Sequence, residues 1–125
     1  MQPARRILVV DDDDDIRTLV CLILASAGYE AIPASDGLEA LRLLHERERP
    51  SLILLDIMMP RMDGEALVAV LNMSPDLRTI PVVIMSGHND AREKSRTCSA
   101  RGCLVKPVDV DDLLSTVREL SASSS

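Results

Sequence analysis

A chain of 125 residues with a formal net charge of −6 and one aromatic residue, Tyr29, argues against direct nucleic-acid binding and against docking on anionic membranes. Both surfaces repel an acidic chain, and base stacking needs rings. The three cysteines, Cys21, Cys98 and Cys103, lack CxxC spacing and no signal peptide accompanies them, so they read as packing thiols of a cytoplasmic, aliphatic single domain.

In chain order, residues 7–10 form an unbroken apolar run, the first strand candidate, and five consecutive aspartates follow at 11–15. Ile16, Leu19, Val20 and Ile23 then recur at the spacing that lays one buried stripe along a helix. Gly28 suits its left-handed stop. Residues 30–34 form a second strand, and Pro33, which cannot donate to a ladder, places it at a sheet edge. Asp36 with Glu39 three residues on marks a capped helix start, and Ala40, Leu41 and Leu44 line its inner face.

Residues 52–55 are the third strand, followed by a helix buried through Leu67, Val68 and Leu71. A fourth strand spans 82–85. The helix-length segment 89–100 has little apolar surface and is the one expected to be most mobile. Residues 103–105 form a fifth strand, and Val110, Leu113, Leu114 and Val117 mark a last helix. The serine-rich end at 121–125 has no periodicity and reads as a disordered tail or the start of a linker, leaving 1–120 as the domain.

Alternating strands and helices of these lengths imply an α/β fold, a single doubly wound five-stranded parallel sheet with helices on both faces. The edge position of the second strand favours the flavodoxin-like order 2-1-3-4-5. Ligands in such sheets bind at the carboxyl ends of the strands, where strand order reverses, here between strands one and three.

Those ends carry Asp11 and Asp12, Asp56, Ser86 and Lys106, which should converge on one pocket. Three clustered carboxylates repel one another and call for a cation, and an oxygen-only acidic site suits Mg²⁺. Lys106, a point cation, would attract one unit of phosphate charge at ~4 Å by about 4 kcal/mol in an effective dielectric of about 20. Ser86 offers a hydroxyl donor, and a carboxylate such as Asp56 is a competent nucleophile toward a phosphoryl group.

Through ILVVDDDDDIR, LILLDIMMPRMDG, VVIMSG and LVKPVDVDDL, each at the end of a strand candidate, the chain resembles the response-regulator receiver family over essentially its whole length. The resemblance implies Asp56 as phosphoacceptor and Asp11 and Asp12 as Mg²⁺ ligands, with Met58 adding its backbone carbonyl. It also implies Ser86 as the switch hydroxyl and Lys106 as the phosphate contact. Pro60 and Gly64 match the turn after the phosphorylated strand. A sensor histidine kinase or phosphotransfer protein is the implied donor. Arg92, Glu93 and Arg96, with the fifth strand's edge and the last helix, are the implied face for an output partner or effector domain.

Plainer readings stand beside these. Asp14 and Asp15 fit a solvated acidic helix start, and Asp13 is open between capping and supporting the site. Taken singly, Asp56 is a turn residue and Ser86 and Lys106 are surface residues; only their shared position makes a site. Met58, Met59 and Met62 read as packing and His45 as solvated. His88 and Met58 correspond to family positions flanking the water that attacks the aspartyl phosphate, so either could set its lifetime.

The chain departs from the family where an aromatic is common: Cys103 stands three residues before Lys106, and Val108 follows Pro107. Both remove rings from the usual readout. Two alternatives remain, a phosphate-independent docking module of the same fold, and a magnesium-dependent phosphohydrolase with Asp11 as nucleophile and Asp13 as acid/base. The second lacks the acidic residues after the fourth strand, apart from Asp90, and the cap segments such enzymes carry.

Overall fold

The computed structural model describes residues 5–46, 49–56, 64–87, 101–106 and 108–123. Strands β1 (Arg6–Val10), β2 (Glu30–Ala34), β3 (Leu52–Asp56), β4 (Val82–Gly87) and β5 (Gly102–Lys106) pair in parallel in the order β2-β1-β3-β4-β5. Helices α1 (Asp14–Ser26), α2 (Gly37–Glu46), α3 (Gly64–Asn72) and α4 (Val110–Ser123) complete the described elements. This is the expected doubly wound fold. The segment 89–100 lies outside the described residues.

Strand periodicity divides the core in two, because successive side chains point to opposite faces. Leu8, Val10, Ile53, Leu55, Val82 and Ile84 pack with Ala40 and Leu44 of α2 and with Leu67, Val68 and Leu71 of α3. Ile7, Val9, Leu52, Leu54, Val83, Met85 and Leu104 pack with Val20 and Leu24 of α1 and with Leu113 and Val117 of α4. The core is aliphatic on both sides, as the lack of Phe and Trp requires. Truncating any fully buried Leu or Ile to Ala would cost about 2–5 kcal/mol.

β2 lies at the sheet edge, as Pro33 implied. Glu30 donates its N–H to the Arg5 carbonyl, and Asp11 donates to that of Ala34. Alternate residues of a parallel strand face the same neighbour, so Ala31 and Pro33 face away from β1 and the missing proline N–H costs the ladder nothing.

The helix ends are set locally. Asp13 caps α1, accepting from the backbone N–H groups of Asp15 (2.9 Å) and Ile16 (3.1 Å). At its other end Gly28 takes a φ of 93°, while Gly28 donates to the Ala25 carbonyl and Tyr29 to that of Leu24, the paired bonds of a left-handed glycine stop. Asp36 accepts from the N–H of Glu39, whose own carboxylate accepts from that of Ser35. This is the reciprocal cap expected from their spacing, reaching one residue further back.

Three expectations are corrected. Leu19 is 57% exposed, and Leu24 takes its place in the buried stripe of α1. The last helix runs on to Ser123 with Ser121 fully buried, so it takes in residues 121–123 that composition had assigned to the tail. Val110, expected on its inner face, is largely exposed.

Candidate functional site

Three of the expected side chains meet at the carboxyl end of the sheet because they continue one strand parity. Asp11 follows Ile7 and Val9, Asp56 follows Leu52 and Leu54, and Lys106 follows Leu104. Those apolar residues all face the α1 and α4 layer, so the polar residues that end the same rows emerge on that side.

Asp11 is fully buried and each of its polar groups is held. Its N–H continues the ladder to Ala34. Oδ1 accepts from the N–H of Asp13 at 2.9 Å, Oδ2 accepts from Lys106 Nζ at 2.9 Å, and its carbonyl accepts from Arg17 Nη1 at 2.8 Å. Asp56, the last residue of β3, sits beside Met85 of β4 and is also buried; its Oδ2 lies 3.5 Å from the same Lys106 ammonium. Asp12 is exposed. Carboxylate oxygens of Asp11, Asp12 and Asp56 come within 4.8 Å of one another.

Burial works against the charge on Lys106. Its hydrogen bond to Asp11, the charges of Asp56 and Asp11 and its contact with Asp56 outweigh that effect and hold the ammonium above the ordinary lysine range. A cation thus already sits between two carboxylates. The donor set fits a hard divalent ion, since the ligand atoms that the described residues bring together are carboxylate oxygens and Asp12 is exposed.

Ser86 lies in β4 beside Val105 of β5, one register step before Gly87 meets Lys106. That row puts it at the same end of the sheet. Met58, Pro60, His88, Arg92, Glu93 and Arg96 lie outside the described residues. Asp13, open between two roles in the sequence, accepts through Oδ1 from the α1 amides of Asp15 and Ile16 and acts as the cap. Asp14 pairs with Arg17.

Arg17 is the residue that the sequence reading missed. Its guanidinium reaches from the first turn of α1 back to the Asp11 carbonyl while also holding Asp14. The only cue is an arginine six positions after Asp11, and no periodicity or charge pattern distinguishes that from a solvated helix residue.

The cysteines behave as packing residues where they are described. Cys21 packs against the core on the α1 side and Cys103 against that on the α2 side, each partly buried. Burial raises the Cys21 thiol above its ordinary range, with nearby Arg17 opposing the shift.

Residues 7–118 match the family model described as the response regulator receiver domain. The chain is 38% identical over 116 residues to the CAI-1 autoinducer sensor kinase/phosphatase CqsS of Vibrio cholerae, covering 90% of this chain and 17% of that protein. It is 35% identical over 117 residues to the DNA-binding dual master transcriptional regulator RpaA of Synechocystis sp., covering 92% of this chain and 48% of that one. It therefore spans half or less of each of these relatives. Among solved structures, the signal receiver domain of a signal transduction histidine kinase from Syntrophus aciditrophicus superposes with a TM-score of 0.86 at 38% identity, over 96% of this chain and 92% of that one.

Proposed function

The chain belongs to the response regulator receiver domain family of two-component signalling, and from that premise we propose that Asp56 accepts a phosphoryl group from the phosphohistidine of a sensor kinase or phosphotransfer protein. The observation that carries this reading is the single ammonium of Lys106 lying between two buried carboxylates, 2.9 Å from Asp11 and 3.5 Å from Asp56. An acceptor oxygen and a cation for the incoming charge are thereby held in one place.

In this reading an Asp56 carboxylate oxygen attacks phosphorus, the bond to the donor imidazole breaks, and its electron pair stays with the imidazole. The product is an aspartyl phosphate. Asp11, Asp12 and Asp56, with the Met58 backbone carbonyl, would hold Mg²⁺, which supplies charge neutralisation to the phosphoryl oxygens. Lys106 pairs with the transferred group, and Ser86 moves toward it. The result is a population shift between two conformations, read out by a partner on the β5 and α4 side together with Arg92, Glu93 and Arg96.

Asp13 is engaged as a helix cap and Asp11 is out of solvent, which favours this reading over a phosphohydrolase built on those two residues. A cytoplasmic setting belongs to the same proposal. No described helix is long and apolar enough to cross a membrane.

Intact-mass spectrometry after incubation with acetyl phosphate and Mg²⁺ tests the chemistry. One base-labile phosphate that disappears in Asp56→Asn and in the absence of Mg²⁺ is the expected result. A native chain that stays unmodified beside a competent control receiver, with the adduct also sought at times too short for hydrolysis, would favour a phosphate-independent docking module.

A further inference from the structure

Arg17 bonds to the backbone of the acidic loop rather than to any of its site carboxylates, and that contact has a geometric consequence. The Asp11 carbonyl belongs to the peptide plane that leads into Asp12, and a peptide is rigid. Holding that oxygen at 2.8 Å therefore fixes where Asp12 begins. The other polar groups of Asp11 are held by Ala34, Asp13 and Lys106, so the Arg17 bond completes the frame from which the exposed Asp12 projects. Asp14, paired with the same guanidinium, anchors it from the solvent side, and the Arg17 side chain is only 18% exposed.

We infer that Arg17 is a positioning residue for the cation site: by clamping the Asp11 carbonyl it sets the spacing between the Asp11 and Asp12 carboxylates and so tunes the site to a small ion. The inference rests on the Mg²⁺ reading above. Mg²⁺ demands near-octahedral geometry at short range, whereas Ca²⁺ tolerates irregular ligand sets. Groups that orient metal ligands from behind change metal affinity by about 10- to 100-fold when removed.

The sign of the effect separates positioning from charge. Removing a nearby positive charge should, by Coulomb's law alone, tighten cation binding. Loss of a positioning bond should weaken it, and weaken Mg²⁺ more than Ca²⁺.

The test is calorimetric titration of the full chain with Mg²⁺ alone and with Ca²⁺ alone, for the native protein, Arg17→Gln, Arg17→Lys and Asp14→Asn, with urea unfolding of each in EDTA. The expected result is a loss of about tenfold or more in Mg²⁺ affinity for Arg17→Gln, a smaller loss for Ca²⁺, and partial recovery in Arg17→Lys. Asp14→Asn keeps the carbonyl bond but removes its anchor, together with a negative charge whose loss weakens both divalent ions alike; it should therefore lower Mg²⁺ affinity more than Ca²⁺ affinity, by less than Arg17→Gln does.

Unchanged or tighter Mg²⁺ binding in Arg17→Gln overturns the inference and leaves the Mg²⁺ reading standing. Parallel loss of both ions overturns it too, as the mark of a merely structural role. If Arg17→Gln is unfolded in EDTA, the Mg²⁺-to-Ca²⁺ ratio of Asp14→Asn decides, an unchanged ratio counting against positioning. A native chain that binds no Mg²⁺ would overturn the parent reading itself.

Discussion

Lys106 and Asp11, 95 residues apart in the chain, are joined by a hydrogen bond of 2.9 Å in which the carboxylate is fully buried and the ammonium only partly so. The pair spans the sheet from β1 to β5, and its strength depends on what else occupies the site.

Lys106→Ala should leave Asp11 buried without its cation. Breaking a buried pair by deleting one partner costs about 3–5 kcal/mol; since Lys106 is partly exposed, we expect about 2–3 kcal/mol in urea unfolding without metal. Saturating Mg²⁺ should recover much of that loss, because a ligand that binds only the folded state stabilises it by mass action. A loss that Mg²⁺ leaves unchanged would show that the cation and the ammonium do not serve the same carboxylate.

Asp13→Ala should cost about 1 kcal/mol, the usual effect of deleting a helix cap, without lowering the yield of phosphorylated protein. Chemical denaturation and intact-mass spectrometry on the same sample check both halves. A collapse of phosphorylation with intact stability would restore Asp13 to the chemistry.

Gly28→Ala should destabilise by about 1 kcal/mol through backbone strain at positive φ. An added Cβ would meet nothing within 4 Å, so steric clash plays no part. Gly28→Asn should cost less, since asparagine tolerates that region better. Equal losses for the two would point to packing.

Cys21 gives a pH dependence whose sign follows from its raised pKa. The folded state favours the neutral thiol, so the Cys21 contribution to stability is complete below the unfolded thiol pKa of about 8.5. It is lost as pH rises through the higher folded value. Cys21→Ser should remove this alkaline component, read as unfolding free energy against pH from 7 to 10. Alkylation of native Cys21 at pH 7 should also run slower than that of a free thiol.

Much of this was legible in the chain. β1, β3 and β4 are unbroken apolar runs, as strands covered on both faces must be, and Pro33 by itself placed β2 at the edge. Asp11, Asp56 and Lys106 were legible because each directly ends such a run. What escaped depends on contacts that no local pattern encodes. Periodicity drew the stripe of α1 correctly but not its centre, which the sheet sets by burying Leu24 rather than Leu19. Ser121 continues the inner row of Leu113 and Val117 at i+4 spacing, yet a serine carries no hydrophobic signal. The Arg17 bond joins a side chain to a backbone oxygen, and backbone oxygens leave no trace in sequence.

The orientation of Pro33 reaches beyond the single molecule. An open strand edge is a template on which another chain can add its own strand, the first step toward aggregation. On β2 the outward positions are Ala31 and Pro33, so an intruding strand would find a carbonyl but no donor at one of the two. Growth of the sheet is blunted at that border, so a second copy of the chain gains little by pairing its own strand with β2.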